Sequence, residues 1–438
     1  MRRPPILATA LLGLFSACSD LPTGGAGPLA HLPSNPALQI APAAGDPLPA
    51  GSYYRVGSGG AVYLFLGSNR SLIVPDWHTY RVCSGGGPSL VRSVASLPGS
   101  VVGTLPSAKQ HRWMAGMRPF QRQNPADQTT WLATGCIRAP FSSAAAYMMA
   151  QGTIEDVAPW ARIVSVAAGA YDSLPSVATP INHRPFPQRT LIKWSGSGEI
   201  RLVVGPSMAL GIPTGAIFDS HCFDWNEIQT VDQATFNSYA VTGLLHDGAG
   251  GCTTDDRIPL ADGFDYPVSQ YATATRAYTS TDGSPDRYYL AQGFRAWSSS
   301  GYHDGEDWNG DGGGNTDCGD AVYAPANGWI VARTYNTTGW GNALVLEHRL
   351  PDGRRTQTVL AHHETLIRTH GVVRRGELIA TVGTTGNSTA CHLHWGHRNP
   401  GDQHWNGFGL GYSTQTSFPN MEAASSFVDR TRQLVIPD

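Results

Sequence analysis

Histidine and aspartate side chains in three short stretches have the types and spacing of a metal site with catalytic neighbours. His303 and Asp307 form an H-x-x-x-D pair in "YHDGED", and His362 follows alanine in the apolar stretch "VLAHHETL". His392 and His394 form H-x-H in "STACHLHWGHR", which has the pattern of a strand. Residues two apart on a strand lie on the same face of a sheet. The two imidazoles can therefore serve one metal centre, one as a ligand and the other as a catalytic neighbour.

The acidic, glycine-rich stretch around these residues also admits a calcium site or a plain turn. The first half of an EF-hand loop, D-x-N-x-D-G, is matched by four residues: Asp307, Asn309, Asp311 and Gly312. The last position of that loop must be a bidentate glutamate, and here it is Cys318. The flanks, "SSSGYH" and "CGDAVYAPANG", are typical of turns and strands. An EF-hand is therefore disfavoured, a zinc site on the histidines is favoured, and a weaker calcium or structural role for Asp311 or Asp317 stays open.

β-Strands are the elements that must position these residues. The 438-residue chain has 51 glycines, 31 prolines and 14 % charged residues, and long amphipathic helical patterns are rare. This composition favours a mainly β, turn-rich protein. Strand patterns occur in "AVYAPANGWIVARTYN", "GNALVLEHRL", "RTQTVLAHH", "ELIATVG" and "CHLHWGHR". The net charge is -3 and no lysine- or arginine-rich run occurs, so no nucleic-acid partner is expected.

The three stretches, in this order, resemble those of the lysostaphin/LytM-type zinc endopeptidases. "GYHDGEDWNGDGGGNTDCGDAVYAPANGWIV" is similar to the family's first-motif region, H-x-G-x-D followed by G-x-x-V-x-A-x-x-x-G. "GWGNALVLEH" resembles the next strand, and "GELIATVGTTGNSTACHLH" leads into the last motif. The resemblance covers residues 294–400. It implies a mainly antiparallel β-sheet fold with zinc in an open groove.

Carried over position by position, the resemblance implies one Zn2+ per chain, held by His303, Asp307 and His394. Two nitrogens and one carboxylate oxygen leave the fourth tetrahedral position to water, as in a catalytic zinc site. The resemblance also implies that His362 and His392 are the catalytic pair. One takes the proton of the attacking water, and the other donates a hydrogen bond to the developing oxyanion. Which histidine has which role stays open.

Two positions depart from the family's usual pattern. His363 stands where leucine usually follows the histidine of the A-H motif, and Ala361 sets the register on His362. Cys391 stands where proline often precedes H-x-H. We expect this cysteine to pair with Cys318 and so to staple the first-motif loop to the last strand.

Six cysteines besides Cys18 are an even number, which suggests disulfides in an exported chain. The sequence alone leaves their connectivity open. The expected pairs are Cys318–Cys391 inside the last domain, Cys222–Cys252 across a loop, and Cys83–Cys136.

The N-terminal residues 1–18 have the pattern of a lipoprotein signal peptide. Arg2 and Arg3 precede "ILATALLGLF", an apolar stretch too short to span a bilayer as a permanent helix. "FSAC" resembles a bacterial lipobox with phenylalanine in place of the usual leucine, so Cys18 is the predicted lipidation site. Residues 19–50 are proline-rich and predict a disordered tether. We expect an exported protein, lipid-anchored in the bacterial envelope, in the outer membrane facing the periplasm or the cell surface.

Residues 51–245 are expected to form three β-rich repeat units. The stretches that begin at Tyr53 and Leu191 align at an offset of 138 residues, and each has the pattern strand, glycine turn, strand. A weaker middle copy starts near Trp113. The glycine- and aspartate-rich residues 246–263 are the predicted linker, and residues 264–438 are the predicted zinc metallopeptidase domain.

The resemblance implies a zinc metalloendopeptidase that hydrolyses peptide bonds of peptidoglycan stem peptides or cross-links. A Gly–Gly bridge and a D-Ala–diaminopimelate cross-link are both open, and the lipoprotein signal favours the cross-link. The alternative is a non-catalytic envelope lipoprotein of the same fold, acting as a hydrolase activator or as a surface scaffold or adhesin.

Overall fold

The computed structural model describes most of the chain from residue 52 to residue 431. The described residues are 52–84, 91–96, 99–107, 118–122, 128–134, 137–151, 163–166, 174, 176, 180–245, 257–268, 278–279, 285–286, 288–298, 301–350, 352–401 and 420–431. The predicted signal peptide 1–18 with Cys18, the predicted tether 19–50, Cys136 and Cys252 lie outside them. Among the described residues, no helix is long and apolar enough to cross a bilayer.

Three small sheets with short helices precede the C-terminal domain. The first comprises β1 Tyr53–Val56, β2 Tyr63–Gly67, β3 Arg70–Ile73, α1 Trp77–Ser84, β4 Val91–Val94 and β5 Ser100–Thr104. The second comprises β6 Arg118–Arg122, β7 Trp131–Thr134, β8 Ile137–Pro140, α2 Ala144–Gln151 and β9 Val164–Val166. The third comprises β10 Leu191–Trp194, β11 Ile200–Gly205, β12 Met208–Gly211, α3 Gly215–Ser220, the 3-10 turn Trp225–Glu227, β13 Gln229–Val231, α4 Gln233–Asn237 and β14 Ala240–Leu244.

The first and third sheets have the same topology. Their strand orders are β4-β1-β2-β3-β5 and β13-β10-β11-β12-β14, and in each the outer strands run parallel to their neighbours. Tyr53 pairs with Leu64 in the first, and Leu191 pairs with Leu202 in the third. The corresponding residues of these two pairs are 138 positions apart in the chain, which is the offset between the two sequence stretches. The division of residues 51–245 into three repeat units stays a prediction that this topology supports.

The C-terminal domain is built on one large sheet. Its elements are β15 Tyr278–Thr279, β16 Pro285–Asp286, β17 Tyr288–Gln292, β18 Trp297–Ser298, β19 Gly301–Tyr302, β20 Glu306–Gly310, β21 Ala321–Tyr323, β22 Gly328–Tyr335, β23 Asn342–Arg349, β24 Arg355–Ala361, β25 Gly371–Val373, β26 Leu378–Thr381, β27 Leu393–Gly401, β28 Met421–Glu422 and α5 Ala424–Thr431. The sheet has the order β17-β20-β27-β24-β23-β22-β25, with β28 beside β27, and every pair is antiparallel. The predicted fold class, mainly β with a C-terminal antiparallel sheet, is confirmed.

The central strands of this sheet are buried on both faces. Leu344 and Leu360 point into the main core with Leu393 and Trp395, while the opposite face packs a second cluster around Val359. The C-terminal helix α5 closes the main core. Phe264, before the sheet, meets Phe427 of α5 edge to face at 4.8 Å. This core fixes the positions of β24 and β27: His394 lies in β27, His392 directly precedes it, and His362 directly follows β24.

The third small sheet packs against the edge strand β25 of the large sheet. Gln229 Nε2 donates to Val372 O at 2.7 Å, and Trp329 Nε1 donates to Glu227 Oε1 at 3.0 Å. Gly371 has φ of +81°, and a Cβ there would lie 3.1 Å from the main chain of Glu227. An uncovered edge strand presents unpaired backbone groups to other chains. Residues 180–245 therefore cover one edge of the C-terminal domain.

The described part of the predicted linker also packs on this domain. Ile258 and Ala261 are fully buried, and Ala261 N donates to Arg349 O at 2.9 Å. Residues 257–263 are therefore part of the packed structure, and the position of the domain boundary stays a prediction.

Gly371→Ala tests the contact between the third sheet and β25. Gly353, with φ of +88° and nothing within 4 Å of its added Cβ, is the matched control because it carries the same backbone strain without the crowding. We expect Gly353→Ala to lower the free energy of unfolding by about 1–2 kcal/mol. Gly371→Ala should lower it by about 1–3 kcal/mol more, because the methyl group forces Glu227 away. Urea unfolding with disulfides intact measures both, and equal losses would show that the contact contributes nothing.

Two buried histidines outside the site give the fold a dependence on pH. His348 Nδ1 donates to Asn327 O at 2.9 Å, and its other nitrogen lies 3.1 Å from Thr358 Oγ1. Burial lowers the pKa of His348 to about 4, and burial lowers that of His397 to about 3. An unfolded histidine has a pKa of about 6.5. Between these values the unfolded chain binds protons that the folded chain does not, so this part of the stability rises with pH and is complete above about 6.5.

His348→Asn isolates one of these contributions, because an asparagine amide can still donate to Asn327 O. The stability difference between the native chain and the variant should grow with pH between about 4 and 6.5, by at most about 1.4 kcal/mol per pH unit, and stay constant above. Urea unfolding from pH 4.5 to 7.5 measures it. Parallel profiles for the two proteins would contradict the assignment.

Candidate metal centre

The pairing of β20 with β27 brings the first and last motifs together. The register places Asp307 opposite His394 and Glu306 opposite Trp395. On its other side β27 pairs with β24, where Ala361 lies opposite His394. His362, which follows Ala361, therefore lies beside the same centre. All five predicted site residues, His303, Asp307, His362, His392 and His394, are brought together.

Three of them place one donor atom each at the corners of a small triangle. His303 Nε2 lies 3.0 Å from His394 Nδ1 and 3.2 Å from Asp307 Oδ1. His394 Nδ1 lies 3.1 Å from Asp307 Oδ1. The ligands of a tetrahedral zinc at about 2.0–2.1 Å are about 3.3 Å from one another. The triangle therefore fits a zinc ion, and its two nitrogens cannot both carry a proton along the edge that joins them.

His303 is oriented by the hairpin that precedes β20. Its backbone N donates to Ala296 O at 2.9 Å, and its backbone O accepts from Arg295 N at 2.8 Å. Its Nδ1 lies 3.3 Å from Gly293 O. Because a carbonyl can only accept, the proton of the neutral ring belongs on Nδ1. Nε2 is then left with a lone pair that faces the triangle.

His394 lies in a slot that only glycine permits. A Cβ on Gly305 would lie 2.6 Å from His394 Cε1 and 2.7 Å from His394 Nε2. The ring therefore packs directly on the backbone of Gly305. This is the physical reason for glycine two residues after His303.

His362 is held in an uncommon backbone conformation. Its φ is +67°, in the left-handed region that non-glycine residues rarely adopt. Its backbone N donates to Trp340 O at 2.9 Å, and its Nδ1 donates to Thr385 O at 2.8 Å. This arrangement leaves Nε2 as an acceptor. The adjacent His363 is fully buried, with Nδ1 3.2 Å from Thr381 O, and is not one of the triangle residues.

His392 lies on the open side of the centre. Its Nδ1 donates to Ala390 O at 2.9 Å, and its Nε2 is 3.5 Å from Asp307 Oδ1. The ring centroids of His362 and His392 are 4.7 Å apart. The side chains of Asp307 and His392 are each 14 % exposed, whereas those of His303 and His394 are nearly inaccessible. A substrate can therefore reach the centre from the side of His392.

The protonation states follow from burial and from the close charges. Burial alone would raise the pKa of Asp307, but hydrogen bonds from three surrounding histidines outweigh it and hold this pKa well below its usual range. Burial would lower the pKa of His394, but Asp307 and Asp304 raise it above its ordinary value. Burial, followed by the charges of His394 and His392, lowers the pKa of His362 to about 3. His362 is therefore neutral at neutral pH, and Asp307 is ionised.

A disulfide anchors the acidic loop beside His392. Cys318 and Cys391 are bonded, with Cα atoms 5.3 Å apart, and Cys391 N donates to Asn315 Oδ1 at 2.9 Å. This is the pairing that the sequence led us to expect. Cys83 and Cys222 are also disulfide-bonded, whereas their expected partners Cys136 and Cys252 lie outside the described residues.

The calcium-like residues of the acidic loop do not converge on the centre as a group. Asp311 is exposed. Asp317 is buried and accepts a hydrogen bond from Gly310 N at 3.1 Å, which closes the loop on β20. Asp317 therefore has a structural role in the loop.

The sequence reasoning missed Asp304. This residue is 1 % exposed, and its Oδ1 lies 3.5 Å from His394 Nε2. Donor atoms of His303, Asp304 and His394 lie within 4.8 Å of one another, so this group could also hold a metal ion. The triangle with Asp307 is tighter and closer to zinc geometry, so we favour Asp307 as the third ligand. The signal for Asp304 was the first carboxylate of "HDGED", directly after His303.

Comparison with known proteins identifies the segment that contains the centre. Residues 301–406 match the family model described as Peptidase family M23. An uncharacterized metalloprotease of Haemophilus influenzae is 40% identical over 78 residues, which are 18% of this chain and 16% of that protein. The DD-carboxypeptidase/endopeptidase Mpg of Neisseria meningitidis serogroup B is 38% identical over 77 residues, 18% of this chain and 17% of that protein. The matched segment thus spans a small part of these relatives.

Two solved peptidase structures are among those with similarity to part of this chain. The catalytic domain of lysostaphin from Staphylococcus simulans is 23% identical, with a TM-score of 0.25, and covers 32% of this chain and 92% of its own. A zinc containing peptidase from Vibrio cholerae is 24% identical, with a TM-score of 0.24, and covers 33% of this chain and 41% of its own.

Gly305→Ala tests the slot that holds His394. The methyl group must displace the ring, so we expect the variant to fold but to bind zinc at least about tenfold more weakly. Gly293→Ala is the matched control, because its Cβ would meet Leu290 at an ordinary 3.9 Å while its carbonyl still accepts from His303. Competition with a chromogenic chelator measures both affinities. A Gly305→Ala variant with the affinity of the control would contradict the packing argument.

Proposed function

We propose, from the match of residues 301–406 to Peptidase family M23, that the protein is a zinc-dependent endopeptidase that hydrolyses peptide bonds of peptidoglycan. The observation that carries the proposal is the triangle of His303, Asp307 and His394, whose edges are 3.0–3.2 Å, beside two further histidines. Two imidazole nitrogens and one carboxylate oxygen are a donor set typical of catalytic zinc.

One zinc ion per chain is the proposed cofactor, held by the three triangle residues. When bound, zinc supplies an activated water near neutral pH and polarises the scissile carbonyl. Asp307 contributes the single negative charge of the triangle, and its low pKa keeps that charge present at every physiological pH. The exposed side at Asp307 and His392 is the proposed entry for the substrate.

His362 and His392 are the proposed catalytic pair, with separable roles. Both rings fix Nδ1 on a backbone carbonyl, Thr385 O and Ala390 O, so both present Nε2 to the centre. His362 is neutral, so its Nε2 has the lone pair that a general base needs before it takes a proton from water. His392 lies on the open side of the centre, with Nε2 3.5 Å from Asp307 Oδ1, where the carbonyl of an entering substrate would come within its reach. His392 is therefore the proposed donor to the developing oxyanion.

Peptidoglycan is the proposed substrate for three reasons. The Mpg relatives in Neisseria are named as a DD-carboxypeptidase/endopeptidase. The M23 domain supplies the hydrolytic chemistry. The N-terminal signal, with Cys18 as its lipidation site, would deliver the enzyme to the envelope, anchored in the outer membrane by its lipid. Among the bonds that the sequence left open, we propose the D-Ala–diaminopimelate cross-link.

Digestion of purified sacculi tests the activity. Residues 51–438, exported to an oxidising compartment, should release muropeptides in a zinc-dependent way, and mass spectrometry of the products should identify the bond. His394→Ala should lose both zinc and activity. His362→Ala should retain zinc but lose about 10²–10⁴-fold in kcat, because the proton acceptor is gone. His370→Ala is the matched control, since His370 is hydrogen-bonded to Thr369 at the surface and should leave the activity unchanged.

One result would count against the endopeptidase, and another would count only against the role of His362. Folded, zinc-loaded protein that releases no muropeptides would favour the non-catalytic activator or scaffold. Full activity in His362→Ala would remove that histidine from the proposed pair.

A further inference from the structure

We propose that Asp304 is a positioning residue for the metal ligand His394. Its carboxylate accepts a hydrogen bond from His394 Nε2–H and so holds Nδ1 towards the triangle. This inference rests on the proposed function, because it concerns the same metal centre.

The two ring nitrogens of His394 face different partners. Nδ1 lies in the triangle, 3.0 Å from His303 Nε2 and 3.1 Å from Asp307 Oδ1. Nε2 lies on the far side of the ring, 3.5 Å from Asp304 Oδ1. If Nδ1 provides a lone pair to a metal, the ring proton must be on Nε2, where Asp304 is the carboxylate in reach. Closure by about 0.7 Å would give a charge-assisted hydrogen bond of ordinary length.

The hydrogen-bond partner of His394 Nε2 is important because both side chains are buried. Asp304 is 1 % exposed and His394 is 2 % exposed, so water has little access to either group. A buried N–H that lacks a hydrogen-bond acceptor destabilises the conformation that contains it. The Gly305 slot fixes the plane of the ring but cannot decide which nitrogen carries the proton. Asp304 favours the proton on Nε2, because its oxygen can accept a hydrogen bond from Nε2–H.

The three carboxylates of "HDGED" have three separate tasks. Glu306 points away from the centre, where it accepts from Ser425 Oγ at 2.7 Å and from Ser425 N at 2.8 Å. Asp307 provides an oxygen to the triangle. Asp304 faces the opposite side of His394. Because a zinc ion carries two positive charges, Asp304 and Asp307 together would neutralise the buried centre.

The carboxylate also affects the strength of the ligand. A carboxylate on the remote N–H of a metal-binding histidine raises the basicity of the coordinating nitrogen, and its loss typically weakens metal binding about 10–100-fold. Asp304 should therefore act on zinc affinity first and on catalysis through the metal. It does not need to touch the substrate.

Zinc and cobalt binding to residues 51–438 test the proposal without relying on activity. Asp304→Ala should weaken zinc binding about 10–100-fold in competition with a chromogenic chelator. Asp304→Asn should weaken it less than about tenfold, because the amide oxygen can still accept from Nε2–H. The absorption spectrum of the cobalt-substituted protein should shift in Asp304→Ala as the His394 ring loses its orientation. Glu306→Gln is the matched control, a buried carboxylate of the same stretch that should leave zinc affinity unchanged.

The outcomes separate this inference from the proposed function. Native zinc affinity and an unshifted cobalt spectrum in Asp304→Ala would overturn the positioning role while leaving the zinc enzyme intact. A loss in Asp304→Asn as large as in Asp307→Asn would also overturn it and make Asp304 a direct ligand. A native chain that binds no zinc would overturn both proposals. Circular dichroism identifies any variant that fails to fold, and Asp304→Asn, which keeps the side-chain volume, then decides.

Discussion

The antiparallel pairing of β20 with β27 is the constraint on which the candidate centre depends. Asp307 and His394 are 87 residues apart in the chain, yet the register of this ladder places them opposite each other with donor atoms 3.1 Å apart. A slip of one residue would turn His394 to the other face, because side chains alternate along a strand. The register is held by the core on the opposite face, where Leu393 and Trp395 are fully buried.

Hydrogen bonds to nearby backbone carbonyls position His303 and His362 beside this ladder. The hairpin before β20 orients His303 through Gly293 O. The strained turn after β24 orients His362 through Trp340 O and Thr385 O. In both cases a backbone carbonyl binds one ring nitrogen and leaves the other for the centre. Backbone carbonyls are well suited to this task, because the sheet fixes them and they can only accept.

The strands and the motif residues were largely predictable from the sequence. The residues that surround the motif residues and cover the strands were not. Three strands, β23, β24 and β27, form from stretches whose apolar residues alternate with polar ones or follow one another: "GNALVLEHRL", "RTQTVLAHH" and "CHLHWGHR". The H-x-H spacing already implied that His392 and His394 share a face. Asp304 could not be chosen over Glu306 or Asp307 from spacing alone, because the sequence does not show which partner each of the three carboxylates contacts. The covering of β25 by the third small sheet was equally hidden, since it depends on contacts more than a hundred residues apart in the chain.

The cysteine that stands in place of the family's usual proline has a structural explanation in this fold. A proline before H-x-H would restrict the backbone dihedral at that position. Here Cys391 occupies the position and is fixed instead by its bond to Cys318 and by the hydrogen bond from its N–H to Asn315. Both solutions stiffen the residue that precedes His392, but the disulfide also ties down the acidic loop. The same loop is also held by Asp317, which accepts from Gly310 N, and by Gly319 N, which donates to Val382 O. The cysteine pair therefore replaces a local restraint with one that links the two halves of the centre.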